Sequence, residues 1–160
     1  TEWCDEIAGG VLAAGPDRCS AAALNGVPAV VSVGADDMVN FGPWDTVPEH
    51  YQSRNLYKHN PTVTLMRTTV EENEQIGRAI ASKVNMSIGP CAVMLPLKGV
   101  SMIDAEGQPF YGPEEDAALF QVLRDEIDPT KAELIEMDAH VNDDEFAIAA
   151  AQKLIDLMNQ

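Results

Sequence analysis

The sequence is poor in basic residues and has no long hydrophobic run. Lys and Arg together number 10, against 26 Asp and Glu residues, so the formal net charge is −16 over 160 residues. A surface this acidic repels phosphate backbones and anionic lipid headgroups, which argues against nucleic acid or membranes as partners. No apolar run approaches the roughly 20 residues needed to span a bilayer. The hydrophobic fraction of 46% still suffices for one folded domain with its own core.

Cysteine and the common catalytic signatures are also scarce. Cys4, Cys19 and Cys91 form neither a CxxC pair nor a metal-binding spacing. An odd number of unpatterned cysteines is typical of a reducing compartment, so we expect a cytoplasmic protein. The three histidines are scattered, and no metal site is predicted. The phosphate loop GxxxxGK[ST], the dinucleotide motif GxGxxG and the nucleophile elbow GxSxG are absent. The motifs therefore leave open whether the protein is an enzyme.

The sequence does contain four short runs rich in apolar residues, each preceded by Pro or Gly. The middle runs are nearly continuous in apolar residues, which is typical of parallel strands that are buried on both faces. We predict β-strands at residues 29–33, 63–66, 91–95 and 133–137.

Helix signals lie between and after these runs. Thr69 is followed three residues later by a glutamate, which is the spacing of a capping box. Pro113 suits the first turn of a helix. Pro16 and Gly26 are predicted to begin and end an earlier helix. Asn142 is predicted to cap the last helix, because a glutamate again follows three residues later.

Strands that alternate with helices are joined by right-handed crossovers into a mainly parallel sheet. The predicted fold class is therefore α/β, a three-layer Rossmann-like sandwich with a mainly parallel sheet, in a single domain over residues 1–160. Residues 2–12 are ambiguous, and one interpretation is a helix that follows a strand upstream of Thr1. Because the chain begins with Thr rather than Met, we expect it to be part of a longer protein. Residues 34–60 lack periodicity, and we predict a long connection whose aromatic residues cover the sheet edge or another domain.

In open parallel sheets, ligands bind beyond the carboxyl ends of the strands. Polar residues follow all four predicted strands, so we expect them to converge on one edge of the sheet. The candidate binding and catalytic residues at this edge are Asp37, Asn40, Arg67, Thr68, Gly99, Ser101, His140 and Asn142.

The chemistry of these residues favours a small anion. The Arg67 guanidinium is a planar fork that suits carboxylate or phosphate. The hydroxyls of Thr68 and Ser101 can add hydrogen bonds to the same ligand, while Asp37 and Asn40 are predicted to orient it.

His140 is the candidate general acid or base, with Asp138 or Asp37 as its orienting partner. The alternative is that His140 forms hydrogen bonds within its own loop and has a structural role.

Several blocks in order along the chain resemble a known family. They are GGVLAAGPDR at 9–18, GADDMVNFG at 34–42, HNPTVTLMRTT at 59–69, LPLKGVS at 95–101 and HVND at 140–143. Together they resemble the tomato mosaic virus resistance protein family, the Tm-one-like ATP-binding proteins. The resemblance implies that the chain is the C-terminal domain of a longer two-domain protein. It also implies that any ATP would bind through the N-terminal domain, which is absent here. One departure is Lys98, which stands where the family pattern leads us to expect a second glycine.

Two functions are open at this point. The first is a domain that supplies one wall of an interdomain cleft for a small anionic ligand: a nucleotide, or a phosphorylated or carboxylated metabolite. Its expected partners are the protein's own N-terminal domain, that ligand and a second copy of the chain. The alternative is a non-catalytic domain for protein interaction or oligomerisation.

Overall fold

The computed structural model describes residues 1–160, which fold into five α-helices and two three-stranded β-sheets. None of the helices is both long and apolar enough to cross a lipid bilayer. In chain order the elements are α1 (Glu2–Ala8), α2 (Ser20–Asn25), β1 (Ala29–Ser32), β2 (Met38–Phe41), β3 (Leu56–Asn60), β4 (Val63–Arg67), α3 (Val70–Val84), β5 (Cys91–Pro96), α4 (Pro113–Glu126), β6 (Glu133–Met137) and α5 (Asp144–Met158).

Sheet A is parallel, with strand order β1-β5-β6. Three of the four predicted strands form it, close to their predicted limits. The central strand β5 is buried along its whole length because neighbours flank both of its edges and helices cover both of its faces. Its register places Val93 opposite Val31 of β1 and Leu134 of β6.

Helices cover both faces of sheet A, which confirms the predicted three-layer α/β fold of Rossmann-like type. Val33, Val93 and Leu95 join the main hydrophobic core with residues of α1, α3 and α4. On the other face, Met94 packs with Phe146 of α5 in a smaller core. The alternation follows from the period of two in a strand, which sends successive side chains to opposite faces.

The capping box predicted at the start of α3 is confirmed. The Thr69 hydroxyl accepts the Glu72 N–H, and the Glu72 carboxylate accepts the Thr69 N–H. The helix then buries the apolar stripe formed by Ile76, Ile80 and Val84. Pro113 occupies the first turn of α4, also as predicted.

Two predicted helix starts are wrong. Helix α2 begins at Ser20 rather than Pro16, because Cys19 has a φ of 69° and a left-handed residue cannot continue a helix. Helix α5 is preceded by Asp143 rather than capped by Asn142. The Asp143 carboxylate accepts the His140 N–H at 2.8 Å and so belongs to the preceding loop.

The prediction that residues 63–66 form a strand of the parallel sheet is also wrong. They belong to β4, the centre of the antiparallel sheet B with order β2-β4-β3. Met66 enters the main core from one face, while Arg67 on the other face donates to the Phe110 carbonyl. Burial on both faces therefore makes this antiparallel strand as apolar as a parallel one.

Residues 34–60 are more regular than predicted, because they contain β2, β3 and two short 3-10 turns at Trp44–Thr46 and Glu49–Tyr51. Phe41 and Tyr51 pack together in the core with ring centroids 5.6 Å apart. Proline residues before each 3-10 turn interrupt the apolar pattern and obscure it at the level of sequence.

Candidate functional site

Polar side chains from four segments meet beyond the carboxyl end of sheet A, as the sequence predicted. The Ser101 hydroxyl donates to Asp37 Oδ2 at 2.6 Å, and the Thr68 hydroxyl donates to the Asp36 carbonyl at 3.1 Å. His140 Nε2 lies 2.9 Å from the Ser101 carbonyl oxygen. We call Asp36, Asp37, Thr68, Ser101 and His140 the carboxyl-edge cluster.

Sheet B contributes to this cluster although it is antiparallel. Met38 pairs with Arg67 at the start of β2 and the end of β4. The Thr68 N–H consequently donates to the Asp37 carbonyl at 3.0 Å. The turn that links β1 to β2 thus pairs with the end of β4 and places Thr68 at the carboxyl edge of sheet A.

Arg67 is turned into the protein, with only 5% of its surface exposed. Its Nε donates to the Phe110 carbonyl at 2.8 Å, and its Nη2 donates to Asp116 at 2.7 Å and the Gly112 carbonyl at 3.2 Å. Nη1 donates to the Thr68 hydroxyl at 3.1 Å, and Asp104 lies 3.5 Å from Nη2. The guanidinium therefore ties β4 to residues 104–116 through internal partners, and its role as an anion-binding group stays a prediction.

One buried cation faces two buried carboxylates in this arrangement. Burial raises the pKa of Asp116 to about 7, since desolvation and the neighbouring Asp104 carboxylate outweigh the opposing effect of Arg67. Asp104 also accepts the backbone N–H groups of Val100 at 2.8 Å and Gly112 at 3.3 Å. Arg67 is thus the one cation that faces both acids, and the raised pKa of Asp116 favours its protonated form at mildly acidic pH.

The two acids that follow β1 are buried as well. Burial raises the pKa of Asp36 to about 6. Burial also raises the pKa of Asp37, against the opposing hydrogen bond from Ser101. Neither carboxyl is presented to solvent. The Asp37 carboxyl holds the Ser101 hydroxyl, whereas the Asp36 carboxyl faces the Cys4 thiol and the Thr1 nitrogen.

His140 uses both ring nitrogens inside its own neighbourhood. Nδ1 accepts the Asn142 N–H at 3.1 Å, so Nε2 carries the proton and donates to the Ser101 carbonyl. The orienting partner is thus Ser101 rather than Asp138 or Asp37. Asp138 instead pairs with Lys98 at 2.9 Å. An acid–base role for His140, which stays a prediction, would require one of these ring bonds to open.

Gly99 lies where only glycine fits. Its φ is 129°, and an added Cβ would overlap the Asp104 carbonyl oxygen and approach His140 Cδ2 to 2.8 Å. Its own carbonyl accepts the Val141 N–H at 3.1 Å. The loop after β5 is therefore packed directly against the loop after β6.

Asn40 lies in a separate polar group that the sequence did not reveal. Its backbone N–H and side-chain amide both donate to Asp5 Oδ1, at 2.7 and 3.2 Å. The other Asp5 oxygen accepts the Leu12 N–H at 2.7 Å. Asp5 is fully buried and joins α1 to β2 and to the loop after α1. The sequence offers no distinct signal for it, because α1 contains two further acids, Glu2 and Glu6, that are not buried.

A cavity of about 490 Å³ opens at the same edge of sheet A, between the loop after β5 and helix α4. Sequence reasoning did not locate it, although Gly99 is one of its lining residues. Lys98 and Arg124 supply positive charge, while Tyr111 and Phe120 supply aromatic surface. Asp116 also lines the cavity, so the cavity wall is continuous with the buried Arg67 group.

The fold and the carboxyl-edge cluster define an α/β Rossmann-like domain whose candidate site lies at the end of the parallel strands. The profile of the uncharacterised protein family UPF0261, C-terminal domain, matches residues 1–158. The chain therefore belongs to the UPF0261 family and corresponds to its C-terminal domain.

Named relatives agree with this assignment. The chain is 58% identical over 160 residues to a UPF0261 protein of Clostridium tetani and 49% identical over 160 residues to one of Rhizobium meliloti. It is 40% identical over 158 residues to the ToMV resistance protein Tm-1(GCR237) of Solanum lycopersicum. These alignments cover 98–100% of the chain but 40% of each bacterial relative and 21% of the tomato protein. The chain thus spans about two fifths of the bacterial relatives.

Proposed function

We propose that this domain supplies one wall of a cleft that binds a small anionic ligand, such as a nucleotide or a phosphorylated or carboxylated metabolite. The observation that carries the proposal is the cavity of about 490 Å³ at the carboxyl edge, which two of the ten basic residues line together with the acids Glu106 and Asp116. Ligands of open α/β sheets bind at this edge. The opposite wall would come from the N-terminal domain of the full-length protein.

Lys98 and Arg124 are the cations that would meet the ligand. Both lie at the rim in ion pairs, Lys98 with Asp138 and Arg124 with Glu136. The hydrogen bond that the Lys98 ammonium donates to Asp138 raises the pKa of Lys98, which therefore stays charged at neutral pH. Exposed pairs of this kind contribute little to stability, because water screens their charges. A multiply charged anion can therefore replace the two carboxylates at low energetic cost.

In this proposal the buried groups position the cavity wall. Ser101 and Asp37 fix the loop after β5, and Arg67 fixes the segment that leads into α4. Gly99 contributes backbone surface to the cavity itself. Thr68 and Asn142 act through their contacts with Arg67 and His140.

A thermal-shift screen of the full-length protein tests the proposal, with nucleotides, sugar phosphates and small carboxylates as probes. A ligand at a hundredfold excess over its dissociation constant adds about 2.7 kcal/mol to the free energy of unfolding. We expect Lys98→Ala and Arg124→Ala each to reduce that shift. Lys131→Ala is the matched control, because it removes the same charge beyond the opposite end of sheet A, just before β6. No shift with any anion, or equal shifts in all variants, would contradict the proposal.

A second candidate is self-association through α5. Ile148, Ala151, Ile155 and Met158 lie on one exposed stripe with alternating spacings of three and four, opposite the buried Phe146 and Leu157. Such spacing forms the contact seam of paired helices. Ile148 and Met158 are 68% and 66% exposed, which leaves this stripe uncovered in the single chain.

Analytical ultracentrifugation of the full-length protein tests this second candidate. We expect an oligomer that Ile155→Glu dissociates, with Gln152→Glu as a control on a neighbouring face of the same helix. A monomeric wild-type protein, or an oligomer that survives Ile155→Glu, would contradict self-association through α5.

A further inference from the structure

A cavity of about 650 Å³ runs along strand β1 and lies apart from the carboxyl-edge cluster. All four residues of β1 line it, together with small residues of α2 and the end of α3. Successive residues of a strand point to opposite faces. A cavity that contacts all four in succession therefore follows the edge of the strand rather than one face of the sheet.

This edge of sheet A is open. Strand β1 pairs with β5 and with no other strand. The Ala29 N–H donates to the Pro90 carbonyl at 3.0 Å, so the backbone groups of Ala29 and Val31 face β5. In a parallel pair the intervening residues face the other way. The N–H and C=O groups of Val30 and Ser32 consequently point towards the open edge and the cavity.

The path of the chain before α1 passes this same edge. Thr1 lies beside the carboxyl end of β1, where it lines a small cavity together with Ser32 and Gly34. Its nitrogen is 3.5 Å from Asp36 Oδ1. A strand that ended just before Thr1 would therefore finish level with the end of β1. It would run parallel to β1.

The layer of helices gives the same direction. The connections from β1 to β5 and from β5 to β6 each move one strand across the sheet, through α3 and α4 on one face. Helix α1 packs against α3 in that same layer. A strand on the open side of β1, followed by α1, would add a third crossover connection. That crossover would advance across the sheet in the same direction as the other two and have the same handedness. Parallel crossovers share one hand almost without exception.

We propose that the residues immediately preceding Thr1 in the full-length protein form a strand that pairs in parallel with β1 and covers this cavity. The chain spans 40% of the length of its bacterial relatives. Those relatives therefore contain further residues that could form this strand. An apolar, unpaired edge such as Val30–Val31 otherwise invites association with other chains. Addition of an extended segment satisfies its backbone groups.

Hydrogen exchange in the full-length protein tests the proposal at single residues. The Val31 amide faces β5 and serves as the internal reference for a paired strand. We expect the amides of Val30 and Ser32 to exchange at least tenfold more slowly than exposed loop amides, as Val31 does. Fast exchange at Val30 and Ser32 alongside a protected Val31 would overturn the proposal.

The identity of the covering segment is read from nuclear Overhauser contacts of Val30 and Ser32. Contacts to the ten residues that precede Thr1 are the expected result. Contacts to any other part of the chain would overturn the proposal, as would protection that increases with protein concentration, because a second copy would then occupy the edge. A gene product with no residues before Thr1 would overturn it as well.

Discussion

Replacement of Arg67 by methionine tests the central electrostatic feature of this domain. Met preserves the aliphatic length of the side chain and removes only the guanidinium. The change leaves Asp116 without its partner at 2.7 Å and Asp104 without its cation at 3.5 Å. It also removes the donors to the carbonyls of Phe110 and Gly112.

The expected loss in the free energy of unfolding at neutral pH is about 3–5 kcal/mol, which is the range for removing one partner of a buried ion pair. Arg67 is 5% exposed and both carboxyls are buried, so water cannot take over its role. The matched control is Arg78→Met. Arg78 pairs with Glu74 and Glu126 on the surface, and a loss of at most about 1 kcal/mol is expected.

The measurement is chemical denaturation followed by circular dichroism, at neutral pH and near pH 5. Arg67 lowers the pKa of Asp116, so without Arg67 the Asp116 carboxyl binds a proton more readily and the deficit of Arg67→Met should shrink at the lower pH. A loss below about 1 kcal/mol at neutral pH would refute the buried ion pair, since that value is typical of surface pairs. A deficit that is independent of pH would show that packing rather than charge accounts for the effect.

Two further predictions concern the same region. Gly99→Ala should cost about 2 kcal/mol or more, because it combines a φ of 129° with a Cβ that overlaps the Asp104 carbonyl. Gly107→Ala has a φ of 82° but open space around its Cβ, so a loss of only about 1 kcal/mol is expected, and equal losses in urea titrations would contradict the overlap. Because burial raises the pKa of Asp116 to about 7, the folded state retains a proton that the unfolded chain releases near pH 4. The free energy of unfolding should therefore fall as pH rises from about 4 to 7, and Asp116→Asn should flatten that slope in titrations across the range; an unchanged slope would contradict the assignment.

The sequence predicted the parallel sheet and its helices because their signals are local. The capping box at Thr69, the proline at the start of α4 and the apolar runs of β1, β5 and β6 each fall within a few residues. Sheet B could not be predicted in the same way. Its centre, β4, is as apolar as a parallel strand because Met66 on one face joins the main core and the segment around Phe110 lies against the other face.

The candidate site was predicted in position but not in detail. Parallel strands end at a shared edge, which implied that Asp37, Ser101 and His140 would meet, and their hydrogen bonds show that they do. The inward direction of Arg67 could not be inferred, because its partners Asp104 and Asp116 lie 37 and 49 residues further along the chain. Partners so distant in sequence are brought together only by the tertiary fold.

Arg67 therefore connects sheet B to the cavity at the carboxyl edge of sheet A. It ends β4 in sheet B, and its side chain holds the segment that closes over sheet B and leads into α4, the helix that forms one side of the cavity. The loop on the other side of that cavity, at Gly99, is tied to the same point through the Asp104 bond to the Val100 N–H. Both sides of the cavity thus depend on one buried charged group. A change at Arg67 should alter the shape of the cavity and the stability of the fold, whereas a change at Lys98 should alter ligand binding and leave the fold intact.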